Sequence, residues 1–271
     1  MYWLRGLREQ LPQQRYYDAK ESWHLMSVFD PYIQKIEEYV EALCSKGRQI
    51  KLFEANLPIN IEHNSNQGVI LREDTYVELG NPEAGSSAFI LFTDNPTLIK
   101  DGRITLIGPD IKESEGKSIP FGQILIVGGT TLNEKEHESL KYASFIGDQI
   151  EGYMVRSQTN NIWSRVSKDA AQKGFDFETL GKALISIYKL NNPKIEKMEV
   201  IFITSSKEDI NQLNEIADQV KKITKEIVKE NWKIKGYDID CVFDCRSCQE
   251  KPVCDEIREV LKAKKKHPDS A

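Results

Sequence analysis

The sequence is short of histidine, of cysteine outside one stretch, of long apolar runs and of any excess of basic charge. Its four histidines, His24, His63, His137 and His267, are scattered, and none has a neighbour at metal-ligand spacing, so they are assigned no chemistry. No order or spacing of Ser, His and Asp suggests a nucleophile–histidine–carboxylate group. No apolar run approaches the ~20 residues that cross a bilayer, and the start Met-Tyr-Trp-Leu-Arg lacks the features of a targeting sequence. A membrane partner is therefore not expected. Lys and Arg number 37 against 42 Asp and Glu, a formal net charge of −5. That balance leaves no basic footprint and argues against nucleic acid as the main partner. Ten Pro and sixteen Gly in 271 residues, with 29% charged, describe an ordinary cytoplasmic chain rather than a disulfide-stapled scaffold. The length allows one large or two modest domains, and there is no internal repeat or low-complexity segment.

Four of the five cysteines fall in residues 241–254, Cys-Val-Phe-Asp-Cys-Arg-Ser-Cys-Gln-Glu-Lys-Pro-Val-Cys. Thiolates this close repel one another and oxidise easily, and a soft polycation relieves both problems. The spacing therefore predicts a metal site, with two disulfides as the bland alternative. Structural zinc sites usually split their ligands into two knuckles separated by a longer loop. Here Cys241, Cys245, Cys248 and Cys254 come as one run with gaps of three, two and five residues. That run suits the faces of a [4Fe–4S] cubane, with structural zinc kept as the alternative. Radical enzymes that use S-adenosylmethionine share the first two gaps but need a long barrel-forming chain afterwards, where this sequence has a short tail. Pro252 is expected to open a helix from Val253 to about Lys266, its positive N-terminal end facing the cluster through Cys254. Arg246 and Lys251 add two cations nearby, or stand in a solvated loop. Lys262 to Lys266 read as a favourable helix C-terminus. An oxygen-labile cluster would sit naturally in a reducing cytoplasm.

Taken in order, residues 1–17 are rich in Arg, Gln and aromatics and read as an arm or short helix. From Ser22 to Leu43 apolar residues recur at helical spacing, with Pro31 marking a break or a new first turn. Cys44 just beyond is expected to be a buried structural thiol. Between Gln49 and Gly129, short β-branched runs separated by Gly, Pro, Asn and Asp predict strands. These are Ile50–Ala55, Val69–Leu71 with Thr75–Leu79, Ala88–Thr93, Ile104–Ile107 and Gln123–Val127. A helix over Asn133–Ile150 follows, capped by Asn133. Then come strands at Tyr153–Arg156, Ile162–Val166 and Met198–Thr204, with helices Lys168–Lys173, Phe177–Leu190 and Lys207–Trp232 between and after them. Gly128-Gly129 between strand and helix invites a phosphate-loop reading, but the Lys and the Gly spacing of known nucleotide loops are missing, so it reads as a turn.

The expected fold class is α+β: a mixed, largely antiparallel sheet with packed helices, an N-terminal helix, and a C-terminal cysteine-rich loop plus helix. The expected divisions are residues 1–48, a helical arm; 49–235, the α+β domain, with a sub-boundary near Gly129; and 236–271, the cysteine segment with its helix.

Several words in the middle of the chain carry a resemblance. They are Glu73-Asp74-Thr75-Tyr76-Val77-Glu78-Leu79-Gly80, Ile107-Gly108-Pro109-Asp110-Ile111, Pro120-Phe121-Gly122, and Ile162-Trp163-Ser164-Arg165-Val166-Ser167-Lys168 followed by Lys173-Gly174. In this order, ahead of a cysteine cluster, they make residues 49–205 resemble the acetyl-CoA synthase family, the CO dehydrogenase/acetyl-CoA synthase complex beta subunit. The resemblance implies a middle domain followed by a nickel–nickel–[4Fe–4S] centre that joins CO, a corrinoid-borne methyl group and coenzyme A into acetyl-CoA. It implies that the four clustered cysteines occupy the region of the cubane ligands. It also makes Trp163 and Arg165, with Arg156 close in sequence, a candidate coenzyme A surface. Arginine pairs with phosphate and an indole stacks on adenine. The alternative places Trp163 in the core and both arginines on the surface. The sequence departs from the family in its tighter cysteine spacing and in lacking the Cys-Gly-Cys tripeptide that binds the distal nickel. A complete nickel centre is therefore not expected from this chain. A reduced relative, or a subunit completed by another polypeptide, is expected instead, either catalytic or acting as an accessory or electron-transfer module that docks on a corrinoid protein or a CO dehydrogenase subunit.

Overall fold

A computed structural model of the chain describes residues 27–55, 69–114, 118–132, 150–157, 161–234 and 255. The arm at 1–17, the helix expected at Asn133–Ile150 up to residue 149, all four clustered cysteines and all of the expected Val253–Lys266 helix except Asp255 lie outside the described residues. The chain forms two units, Met1–Ala217 and Asp218–Ala271, each described by itself. In the second, residues 218–234 are helical, and Thr224 Oγ1 donates to the Val220 carbonyl at 2.8 Å.

The first unit is α+β, as the sequence predicts. Eight strands are present among the described residues: β1 (Ile50–Glu54), β2 (Thr75–Leu79), β3 (Ser86–Thr93), β4 (Arg103–Ile107), β5 (Phe121–Gly128), β6 (Tyr153–Ser157), β7 (Trp163–Ser167) and β8 (Lys197–Ile203). A five-stranded sheet runs β1-β4-β8-β5-β3, and a three-stranded sheet runs β2-β7-β6. In the larger sheet β3–β5 and β4–β8 are parallel while β1–β4 and β5–β8 are antiparallel. The smaller sheet is antiparallel throughout. Each sheet draws strands from both sides of Gly129. β5 and β8 are near-continuous apolar runs because both of their faces are covered.

Among the described residues are four α-helices, α1 (Asp30–Ser45), α2 (Lys168–Gln172), α3 (Phe177–Asn191) and α4 (Lys207–Ile234), the last belonging to the first unit up to Ala217. The Asp176 side chain caps α3 by accepting from the Thr179 amide at 2.8 Å. α3 buries Phe177, Leu180, Gly181 and Leu184 against one face of the larger sheet, where Phe177 lies 5.0 Å from Phe202 and 5.7 Å from Phe121, centroid to centroid. Gly181 permits the approach, since a Cβ there would sit 2.7 Å from Ile104 Cγ2. The register puts Gly122, Thr93 and Arg103 on the opposite face. There Leu213 and Ile210 of α4 crowd Gly122, and Thr93 Oγ1 donates to Asp30 Oδ1 of α1 at 2.7 Å. The sheet thus lies between two helical layers.

Two sequence expectations need correction. Val69–Leu71 is not a strand, because its backbone groups are taken elsewhere: the Ile70 amide donates to Met154 Sδ and the Ile70 carbonyl accepts from Arg165, while the Leu71 carbonyl accepts from the Asp74 amide in a turn. Cys44 is exposed, not buried. The buried stripe of α1 is Ile33, Ile36 and Leu43, and the next residue is rotated ~100° off that stripe.

Candidate functional site

The smaller sheet assembles the residues of interest on one face. β7 is its central strand, and alternation puts Trp163 and Arg165 on the same side. Glu78 of β2 and Met154 of β6 stand opposite Arg165 in register. The register then shifts between Val155 and Ser157, where Ser157 pairs with Trp163. This irregularity brings Arg156 alongside the indole. Its guanidinium carbon lies 4.2 Å from the Trp163 ring centroid, a cation–π stack. Arg156 is exposed, and Trp163 is half-buried with an Nε1 that has no hydrogen-bond partner among the described residues.

Arg165 is built differently. Only 9% of it is exposed. Its Nε donates to Glu78 Oε1 at 2.9 Å, Nη2 lies 2.8 Å from the same oxygen, and Nη1 donates to the Ile70 carbonyl at 3.1 Å. Every nitrogen of the guanidinium is engaged. A buried guanidinium requires such partners, because leaving one charge unpaired there would cost several kcal/mol, ~3–5. Of the three residues singled out for coenzyme A, the fold therefore brings Trp163 and Arg156 together at the surface. It places Arg165 on the same face but commits its nitrogens inward. The alternative that makes both arginines surface residues does not describe Arg165.

Gly128 ends β5 and Gly129 opens a turn, its carbonyl accepting from the Leu132 amide at 3.1 Å. A Cβ on Gly129 would overlap the Lys194 carbonyl, so close backbone packing accounts for the glycine. The following residue already holds an anion: Glu196 Oε1 accepts from the Thr130 amide at 2.7 Å and from the Thr130 hydroxyl. Those bonds, the hydroxyl's first, hold the Glu196 carboxyl below its ordinary value.

Two buried acids escaped sequence reasoning. Asp209, 2% exposed, sits in the first turn of α4, where Ser205 Oγ donates to its Oδ2 at 2.6 Å and Arg48 Nε lies 2.9 Å away. Burial pushes its carboxyl up, but the hydrogen bonds from Ser205, Ser206 and Arg48 together hold it below the ordinary value. Glu199, 1% exposed, meets Arg103 Nε at 2.5 Å, and burial keeps its carboxyl above the usual range despite that partner. The available signal was a lone acid inside the apolar run Met198–Ile203. Glu199 thus ties β8 to β4, and Asp209 ties α4 to the Arg48 segment that follows α1. Among the described residues, no group of three or more His, Cys, Asp and Glu is placed to hold a metal ion, and no helix is long and apolar enough to cross a membrane.

Comparison with known proteins covers the same region. Residues 57–210 match the family model described as CO dehydrogenase/acetyl-CoA synthase complex beta subunit. The chain is 33% identical over 199 residues to the acetyl-CoA decarbonylase/synthase complex subunit beta 1 of Methanosarcina thermophila, covering 72% of this chain and 41% of that relative. It is 29% identical over 224 residues to the subunit beta 1 of Methanocaldococcus jannaschii, covering 79% and 28%. It is 30% identical over 206 residues to the subunit beta of Archaeoglobus fulgidus, covering 72% and 37%. The aligned region thus spans about two fifths or less of these curated relatives.

Proposed function

Because the chain belongs to the CO dehydrogenase/acetyl-CoA synthase complex beta subunit family, we propose that it is an iron–sulfur protein linked to acetyl-CoA synthesis from CO, a corrinoid-borne methyl group and coenzyme A, as a reduced relative or partial subunit. The observation that supports this best is the family match itself, which runs through the Arg156–Trp163 face. That face has the chemistry coenzyme A requires. The half-buried indole supplies a plane on which adenine can stack, and the exposed guanidinium supplies a cation for the phosphates. Arg165, with its nitrogens committed to Glu78 and Ile70, is left out of direct contact.

Cys241, Cys245, Cys248 and Cys254 would hold a [4Fe–4S] cluster, and four soft thiolates in one run fit that group by donor type. With a thiolate on each of its four irons, the cluster would supply one-electron transfer. The 271 residues hold no Cys-Gly-Cys tripeptide, so a full nickel centre is not proposed. The proposed partners are a corrinoid protein or a CO dehydrogenase subunit, in a reducing cytoplasm where such thiolates persist. A second reading is a non-catalytic accessory or electron-transfer module that docks on a corrinoid protein or a CO dehydrogenase subunit.

The test is to purify the full chain without oxygen, measure iron, sulfide, nickel and zinc per chain, and titrate coenzyme A calorimetrically. About four irons and four sulfides together with coenzyme A binding support the first reading. A cluster that cycles reversibly with dithionite but no coenzyme A binding supports the accessory module. One zinc without sulfide overturns both and leaves a structural site.

A further inference from the structure

The segment around Ile70 crosses the same face as Trp163, yet burial holds it only weakly. Ile70 is 8% exposed, but its neighbours Val69 and Leu71 are 75% and 51% exposed. Its backbone belongs to no strand ladder. Two side chains hold it instead: Arg165 Nη1 donates to the Ile70 carbonyl at 3.1 Å, and the Ile70 amide donates to Met154 Sδ at 3.4 Å. Glu78 in turn fixes Arg165 by two contacts to one carboxylate oxygen, at 2.9 and 2.8 Å. Since Arg165 and Trp163 are two residues apart on one strand, their Cα atoms are ~7 Å apart on the same face. The strapped segment is therefore held from the sheet face that also carries the indole.

We infer that Arg165 and Glu78 are a positioning pair: the Glu78 carboxylate aims the Arg165 guanidinium at the Ile70 carbonyl, which straps residues 69–71 beside the Trp163–Arg156 stack and fixes the shape of the ligand face. This rests on the proposal that coenzyme A binds at that stack, and it assigns Arg165 a role without ligand contact. A planar fork is needed to reach Glu78 and Ile70 together, so lysine cannot replace it even though the charge is kept.

The test compares Arg165→Lys, Glu78→Gln and Arg156→Gln in the full chain, prepared without oxygen and checked for native circular dichroism. The first readout, hydrogen–deuterium exchange over residues 69–71, needs no ligand. Exchange at Ile70 is expected to speed up ~10-fold or more in Arg165→Lys and Glu78→Gln, as for a local opening released from one charged hydrogen bond, and to stay at the wild-type rate in Arg156→Gln. The second readout is coenzyme A affinity across ionic strength. Arg165→Lys should lower affinity ~10-fold with the wild-type salt slope, whereas Arg156→Gln should flatten the slope because it removes a charge that meets the ligand. Unchanged exchange in both strut variants overturns the inference. So does a wild-type affinity in Arg165→Lys, or a flattened slope in Glu78→Gln. If the wild type binds no coenzyme A, the proposed function loses its ligand and the exchange result alone decides the strap. Should Arg165→Lys fail to fold, Glu78→Gln carries both readouts.

Discussion

Gly80 sits where the two sheets join, and replacing it by alanine separates two costs that are usually measured together. Its φ is +67°, a conformation that disfavours side chains, and a Cβ there would overlap the Ile162 carbonyl and lie 2.7 Å from Ser86 Cβ. Gly47 provides the control. It follows α1 at φ +78°, where its amide reaches the Cys44 carbonyl and the Arg48 amide reaches the Leu43 carbonyl, but a Cβ there would meet nothing within 4 Å. The left-handed backbone costs each alanine ~1–2 kcal/mol. A stiffer unfolded chain returns up to ~1 kcal/mol to both and cancels in the comparison. Only Gly80→Ala adds the overlap, ~1–3 kcal/mol of overpacking against backbone and a β-carbon that cannot rotate away. Gly80→Ala should therefore lose ~1–5 kcal/mol and Gly47→Ala ~0–2, a difference of ~1–3 kcal/mol set by the overlap, read as shifts in urea midpoint at constant slope by far-ultraviolet circular dichroism. Equal losses in the two variants would refute the reasoning, because the close approach at Gly80 would then have no energetic consequence.

Asp209→Asn should cost ~1.5–3 kcal/mol near neutral pH by weakening the charge-assisted bonds from Ser205 and Arg48. Because the folded carboxyl is held below its ordinary 3.8, that contribution is present above the unfolded value and is lost as pH falls through the folded one. The gap between wild type and variant should accordingly close in acid, and a gap independent of pH would contradict the assignment. Phe177→Ala removes the ring packed 5.0 Å from Phe202 and 5.7 Å from Phe121, and should cost ~3–5 kcal/mol. A loss under ~1 kcal/mol in the same urea titration would mean that the aromatic cluster is not the core beneath α3.

Local pattern was enough to place most elements. β5 and β8 announce themselves as apolar β-branched runs, and α3 lies where a helix over Phe177–Leu190 is expected. The ordered words around Glu78 and Trp163 marked the family, and the cysteine spacing predicted a metal site in a part of the chain outside the described residues. Tertiary structure alone decided the remainder. It set β8 between β4 and β5, took Val69–Leu71 out of any strand, and divided the two arginines into one stacked on Trp163 and one locked to Glu78. The lock on Arg165 depends on a partner far away in sequence, Glu78 and Arg165 being 87 residues apart. Periodicity reports which way a side chain leaves its own strand or helix, but a guanidinium's fate is settled by the charges and carbonyls that distant strands bring within ~3 Å of it.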